Sequence, residues 1–206
     1  MKLQRRILVL LTAAVMLVLG VSQAVCGPRD HEDGFLLRLA TGAAIGASTE
    51  IDIATETFKM SGTGVDLEIA IGGVVTPNLA IHGTLLAWVV SDPKLEVADE
   101  SGNAGGTLGL AGAGAGLTYY IMPVNLYLTG TAGFGRLEIG DSNVSYAFGT
   151  GFLFEAAIGK EFFVSDKWGL GLSVGIVYHS VPWDDVELDN NWTGVSVPVR
   201  FTATMN

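Results

Sequence analysis

The chain has 206 residues, a formal net charge of −10 and only 16% charged residues, whereas ordinary soluble domains carry about a quarter. The acidic balance argues against nucleic acid as a partner, because neutralising phosphates needs clustered Lys and Arg. The single cysteine excludes an internal disulfide. The low content of charged residues indicates that a large part of the protein surface does not face water.

Residues 1–24 have the layout of a secretory signal. A basic start is followed by an apolar run over residues 7–20, which is short for a membrane span, and by small residues at positions 22 and 24. We therefore predict a signal peptide over residues 1–24 and a short periplasmic leader over residues 25–33. Two alternatives are an uncleaved membrane anchor and, because of Cys26, a lipoprotein acceptor.

After this leader, apolar residues alternate with small or polar ones at the period of a β-strand. The connections between these segments alternate between short and long. The short connections lie at 76–78, 123–125 and 165–167, and the long polar ones at 48–62, 91–104, 140–147 and 182–191. The alternation predicts eight strands, over residues 35–46, 64–75, 79–90, 105–122, 126–139, 150–164, 168–181 and 192–205.

The clearest alternation lies in the seventh segment. Its large apolar side begins and ends with aromatic residues, as a lipid-facing band with interfacial girdles would, and its other side is mostly Gly and Ser. The sixth segment is its natural hairpin partner across the short turn at 165–167. The predicted lipid-facing residues are Trp168, Leu170, Leu172, Val174, Ile176 and Tyr178.

In lipid, every backbone group must pair within a closed sheet. Alternating short turns and long loops are typical of barrels with periplasmic turns and external loops. We therefore predict an all-β fold over residues 34–206, an eight-stranded antiparallel up-and-down transmembrane β-barrel with both barrel termini periplasmic. Bulky apolar side chains should point outward, and tiny or ionic ones inward. The alternative is a soluble lipocalin-like barrel or sandwich, which would place more Asp, Glu and Lys outside.

The segment GKEFFVSDKWGLG at 159–171 resembles the turn GKEWWVSDxWGLG of uncharacterised barrel proteins. The general pattern resembles the small eight-stranded outer-membrane β-barrels of Gram-negative bacteria, the class of outer-membrane proteins A, X and W and the opacity proteins. This resemblance implies an outer-membrane location and a lumen closed by an ionic plug. For barrel enzymes it also implies lipid A deacylation by a His and a Ser on one lipid-facing surface, with an acidic partner.

Several charged or titratable residues fall on the predicted inward side. Because isolated charges in a dry lumen are too costly to leave unpaired, we expect Arg38 and Arg200 to pair with Glu68 or Glu155. The residues predicted to form this lumen network are Arg38, Arg200, Glu68, Glu155, Asp66 and His82.

No residue is predicted to be catalytic, and no cofactor or metal centre is expected. His179 and Ser180 invite the deacylase reading, with Glu187 or Asp189 downstream, but adjacent strand residues point to opposite faces. The glycine-rich run at 109–116 lacks the strand, turn and helix context of a phosphate-binding loop.

The long connections are rich in Asp and Glu, which could hold Ca²⁺ or Mg²⁺, although no calcium-loop spacing occurs. The expected partners are outer-membrane lipid and lipopolysaccharide, with divalent cations bridging at the acidic loops. The protein is expected to be a monomer. The leading hypothesis is a non-enzymatic barrel with a plugged lumen, serving envelope integrity or surface interaction. The alternatives are a narrow conduit for small or hydrophobic solutes, through an open lumen or a lateral gap, and a lipid A-modifying enzyme.

Overall fold

The computed structural model describes residues 34–53, 56–97, 100–122, 124–140, 145–183 and 190–205. The predicted signal peptide and leader lie outside the described residues. The described residues form β-strands and no helix long and apolar enough to cross a bilayer. The strands are β1 (Leu36–Ile53), β2 (Glu56–Thr76), β3 (Leu79–Ser91), β4 (Lys94–Val97), β5 (Glu100–Asn103), β6 (Thr107–Ile121), β7 (Leu126–Gly140), β8 (Ser145–Phe163), β9 (Trp168–Pro182) and β10 (Asn191–Met205).

Eight of these strands form a closed antiparallel barrel. Their order is β1-β10-β9-β8-β7-β6-β3-β2, and pairing of β1 with β2 closes the ring. Each strand pairs with its neighbour along the chain, apart from the small hairpin between β3 and β6, so the topology is up-and-down. The predicted eight-stranded antiparallel up-and-down barrel is confirmed, and its closure leaves no unpaired edge in the barrel wall.

The long connections contain more regular structure than predicted. Residues 91–104 were expected to be a loop, but β4 and β5 form a hairpin there. β4 pairs with β2 through Phe58 and Val97, beyond the residues of β2 that pair with β3. β1 and β2 also continue to each other as far as Ile53 and Glu56. This end of the barrel therefore carries a β-sheet extension.

A bulge at Gly46 marks the start of that extension on β1. The pairing register shifts between Ala44 and Ala47, and Gly46 has a φ of 60°, a conformation that favours glycine. The extra residue reverses the alternation, so that Ala44 is inward before the bulge and Ala47, Thr49 and Ile51 are buried after it. Strict alternation from the sequence cannot anticipate this change.

The opposite end of the barrel carries the tight turns and both ends of the barrel chain. Leu37 pairs with Met205 there, and the short connection of residues 77–78 joins β2 to β3. Asn78 and Asn125 have φ values of 67° and 51°, which asparagine tolerates better than most residues. Short and long connections therefore segregate to opposite ends.

On the outer face of β9, most of the predicted lipid-facing residues are accessible. Leu170, Ile176 and Tyr178 are exposed by 41–49%, and Trp168 and Leu172 are half-buried. Val174 departs from the expected set because it is only 2% exposed. Its register partners are Ile158 on β8 and Val199 on β10, and the short valine side chain is covered between these branched neighbours.

Candidate functional site

The barrel interior holds a buried ionic cluster centred on Arg200 of β10. The Arg200 guanidinium donates to carboxylate oxygens of Asp66, Glu68 and Glu155, including a bond from Nη2 to Asp66 Oδ2 of 3.2 Å. Each of these four residues is at most 4% exposed. Because β10, β2 and β8 lie at different points around the barrel, Arg200 ties three parts of the wall together across the lumen.

Arg38 of β1 extends this cluster. Its Nε donates to Glu68 Oε1 at 3.1 Å, so Glu68 bridges the two arginines. Its Nη1 and Nη2 donate to the hydroxyls of Thr118 and Thr129 at 3.3 and 3.2 Å, and its guanidinium lies 5.0 Å from the centre of the Tyr127 ring. Arg38 therefore finds acceptors on β2, β6 and β7 and an aromatic face on β7.

His82 joins this network only indirectly. It is 2% exposed, and its Nδ1 and Nε2 lie 2.8 Å from Thr84 Oγ1 and 2.9 Å from Thr118 Oγ1. The side-chain hydrogen bonds of His82 therefore go to threonine hydroxyls, whereas the sequence analysis placed His82 in the ionic network. Gly116 makes room for the imidazole, because a Cβ at that position would meet His82 Cε1.

The other half of the interior is apolar, which the sequence interpretation missed. It expected only tiny or ionic residues inside, but a cluster of large buried side chains lies toward the long-loop end. Its members include Leu86, Trp88, Val90, Leu108, Leu110, Leu137, Leu153, Val177, Val181 and Trp192. Inward glycines accommodate them: a Cβ on Gly112 or on Gly135 would lie 3.0 Å from Leu153 Cδ1. One feature of the sequence did indicate large inward residues, because the third predicted strand has bulky side chains on both of its sides.

The residues suggested by the deacylase reading do not converge. His179 is fully buried, and its Nε2 lies 3.1 Å from Thr49 Oγ1. Ser180 lies on the other side of β9, and its Oγ accepts a hydrogen bond of 3.2 Å from Asn191 Nδ2. The proposed acidic partners Glu187 and Asp189 lie outside the described residues.

Two of the described acidic side chains of the long connections form local ion pairs. Glu50 and Glu96 form ion pairs with Lys59 at 3.6 Å and with Lys94 at 2.5 Å. The hydrogen bond from Lys94 and its positive charge lower the pKa of Glu96. Within the described ranges, no three His, Cys, Asp or Glu side chains are arranged to hold a metal ion. The acidic run at 184–189 lies outside them.

No protein-family model and no curated protein matches the sequence. Among solved structures, Neisserial surface protein A superposes with a TM-score of 0.55 at 13% identity, covering 84% of this chain and 96% of that chain. The chain has the fold of the small eight-stranded outer-membrane β-barrels. The outer membrane protein OprG from Pseudomonas aeruginosa gives a TM-score of 0.45 at 13% identity, with 89% of this chain and 96% of that chain covered. At such identities the likeness concerns the fold of the barrel alone.

Proposed function

We propose that the protein is a non-enzymatic β-barrel that spans the outer membrane of a Gram-negative bacterium, with a lumen too full to conduct. We further propose that it serves envelope integrity or surface interaction through the structure at its long-loop end. The observation that carries this proposal is the filling of the lumen by buried side chains in both of its halves.

The outer surface supports a membrane span. Trp168 and Tyr178 face outward on β9 and lie ten residues apart. At a rise of about 3.3 Å per residue and a strand tilt of about 40°, this separation corresponds to about 25 Å along the barrel axis. That height matches the apolar band of about 25 Å on outer-membrane barrels. Large apolar residues are exposed on other barrel strands as well, including Leu39, Ile69, Leu85, Leu117, Leu128, Phe154 and Phe201.

The interior supports a closed lumen. In the half nearer the tight turns, Arg38, Arg200 and Glu155 are each 1% exposed, and Tyr127 packs beside Arg38. In the other half, Trp88 is also 1% exposed. A hydrated passage would leave such side chains accessible to water, and an eight-stranded barrel has an interior only just wide enough for its own side chains.

The sheet extension supports a role outside the membrane. On β1, the outward residues change from Ile45 to Ser48, Glu50 and Asp52 beyond the bulge, and Lys59 faces Glu50 from β2. Charged side chains on this outer face suit water or headgroups and not acyl chains. We propose that this end faces the cell exterior, where lipopolysaccharide and divalent cations are its nearest partners, and that the tight turns face the periplasm.

Two measurements test this proposal. Purified protein in planar bilayers should give no steady channels, and deletion of its gene should increase the sensitivity of the bacterium to detergents or reduce its surface adhesion. Complementation with the wild-type chain is the control. Steady channels in the wild type would contradict the closed lumen. A deletion strain with unchanged envelope resistance and adhesion would contradict the envelope role.

One observation favours the conduit as a second candidate. The ladder between β9 and β10 pairs Ser196 with Val177 and Val199 with Val174 but skips Val197 and Pro198. Proline has no N–H to donate, so this part of the wall is held by fewer hydrogen bonds. If the skipped pairs allow lateral passage, Pro198→Val should restore the ladder and reduce uptake of hydrophobic solutes by liposomes. Equal uptake by both proteins would remove this candidate.

A further inference from the structure

Three buried polar atoms in the apolar half of the lumen have no hydrogen-bond partner in the part of the chain that the structure describes. They are Trp88 Nε1, His179 Nδ1 and Ser196 Oγ. Their residues are 1%, 0% and 1% exposed. A buried donor or acceptor without a partner forfeits its hydration with no compensating bond, so native structures rarely leave several of them together.

Their side chains meet inside the lumen from two sides of the barrel, since β9 and β10 are adjacent strands and β3 lies across from them. The rings of Trp88 and His179 lie 6.0 Å apart between centres. His179 on β9 lies opposite Gly194 on β10, and Ser196 is the next inward residue on β10, which makes it a diagonal neighbour of His179. Gly194 leaves space for the imidazole, since a Cβ there would lie 2.6 Å from His179 Cε1.

The fourth polar group of this region is already bonded. Thr49 Oγ1 lies 3.1 Å from His179 Nε2 and holds the imidazole against β1. The ring is therefore fixed in orientation with Nδ1 as its remaining polar atom. In the neutral imidazole, one ring nitrogen donates and the other accepts, so Nδ1 can do either, depending on the tautomer.

We propose that this region is a hydration site, in which bound water bridges Trp88 Nε1, His179 Nδ1 and Ser196 Oγ. The indole N–H only donates, so the occupant must offer an acceptor oxygen, whereas the imidazole nitrogen and the hydroxyl can each donate or accept. A metal cation offers no acceptor and would face the positive end of the indole N–H. Water meets all three requirements, and buried waters typically make about three hydrogen bonds to such groups.

The site gives the apolar half of the plug a polar centre that links β3, β9 and β10. A dry cluster would be held by packing and by the bond between Thr49 and His179, whereas bridging water adds further directional bonds across the lumen. The effect of removing one polar group therefore has opposite signs in the two cases. In a dry site, Ser196→Ala deletes an unsatisfied hydroxyl and should be neutral or stabilising. In a hydrated site, the same change breaks a bridge.

The test uses the full barrel folded in detergent micelles, with ¹⁵N-labelled tryptophan. Trp88→Phe assigns the Trp88 indole resonance. We expect a cross peak between the Trp88 indole proton and bound water, and we expect Ser196→Ala both to weaken it and to lower the urea midpoint of unfolding. The control is Ser173→Ala, which removes a buried serine hydroxyl elsewhere on the inward face of β9 and should leave the cross peak unchanged.

Either of two results would overturn the proposal. The first is an indole proton of Trp88 without a water cross peak in the wild type. The second is a urea midpoint that stays the same or rises in Ser196→Ala. Because neither readout depends on conductance or on the envelope phenotype, the hydration site is tested separately from the proposed function.

Discussion

Replacing Arg200 by Met tests the ionic cluster most directly. The change keeps most of the side-chain volume but removes the guanidinium that Asp66, Glu68 and Glu155 share. Removing one partner of a buried ion pair typically costs about 3–5 kcal/mol. Three buried carboxylates lose their shared counter-ion at once, and among the described residues only Glu68 keeps another ion-pair partner, Arg38. We therefore place the loss near the upper end of that range.

The assay is equilibrium urea unfolding of the barrel in phospholipid vesicles, followed by tryptophan fluorescence and by the mobility shift of the folded barrel on gels. Arg136→Met is the matched control, because Arg136 is exposed on the outer side of β7 and should cost less than about 1 kcal/mol. Adding Glu155→Gln to Arg200→Met removes one of the orphaned carboxylates and should recover part of the loss. A loss below about 1 kcal/mol for Arg200→Met, or no recovery in the double variant, would refute this account of the cluster.

Three further changes test other parts of the barrel. Gly159→Ala should cost about 1–3 kcal/mol in the same urea assay, because the added methyl group would meet the Tyr127 ring inside the packed lumen. Gly46→Ala should cost about 1–2 kcal/mol, because the bulge requires a φ of 60° that an L side chain adopts poorly. Lys94→Gln should raise the pKa of Glu96, seen as a carboxyl resonance that titrates at higher pH by NMR, because the hydrogen bond and charge that lower this pKa are lost.

Each of these has a control within the chain. Gly102 on β5 has no atom within 4 Å of an added Cβ, so Gly102→Ala should not destabilise the barrel. Gly46→Asn should cost less than Gly46→Ala, because asparagine visits the left-handed region more readily. Because Lys94 lowers the pKa of Glu96, their ion pair stabilises wild-type β4 above the unfolded pKa of Glu96 and is lost as pH falls through its folded pKa. Lys94→Gln has no such ion pair, so β4 should show no such loss of stability over the same pH range. An unchanged Glu96 titration would show that Lys94 is not the cause.

The strand pattern of the barrel was predictable because each wall residue has only two environments. Alternation located all eight barrel strands, and the short turns located the end of the barrel that holds residues such as Asn78. The β4–β5 hairpin was not predictable in the same way. Its residues lie outside the wall and are mostly exposed, so no apolar face marks their pairing, which depends on the neighbouring edge of β2.

The bulge and Val174 show a second limit. Alternation assumes one residue per step, and the extra residue at Gly46 shifts every later position of β1 by one, so that Thr49 becomes an inward residue. Val174 follows the alternation but is covered by its neighbours Ile158 and Val199. A sequence period indicates the side of the sheet on which a residue lies, whereas exposure also depends on the size of the residues beside it.

The two halves of the lumen differ in how far the sequence could define them, and the reason is energetic. An arginine or glutamate within the membrane-spanning part of a strand is too costly in lipid, so Arg38, Glu68 and Arg200 had to be inward and had to meet. For a tryptophan or a leucine, by contrast, contact with lipid and burial in a packed lumen are both favourable. The sequence therefore does not indicate whether Trp88 points outward or inward. The apolar half of the lumen forms because inward glycines on other strands leave space for such large side chains.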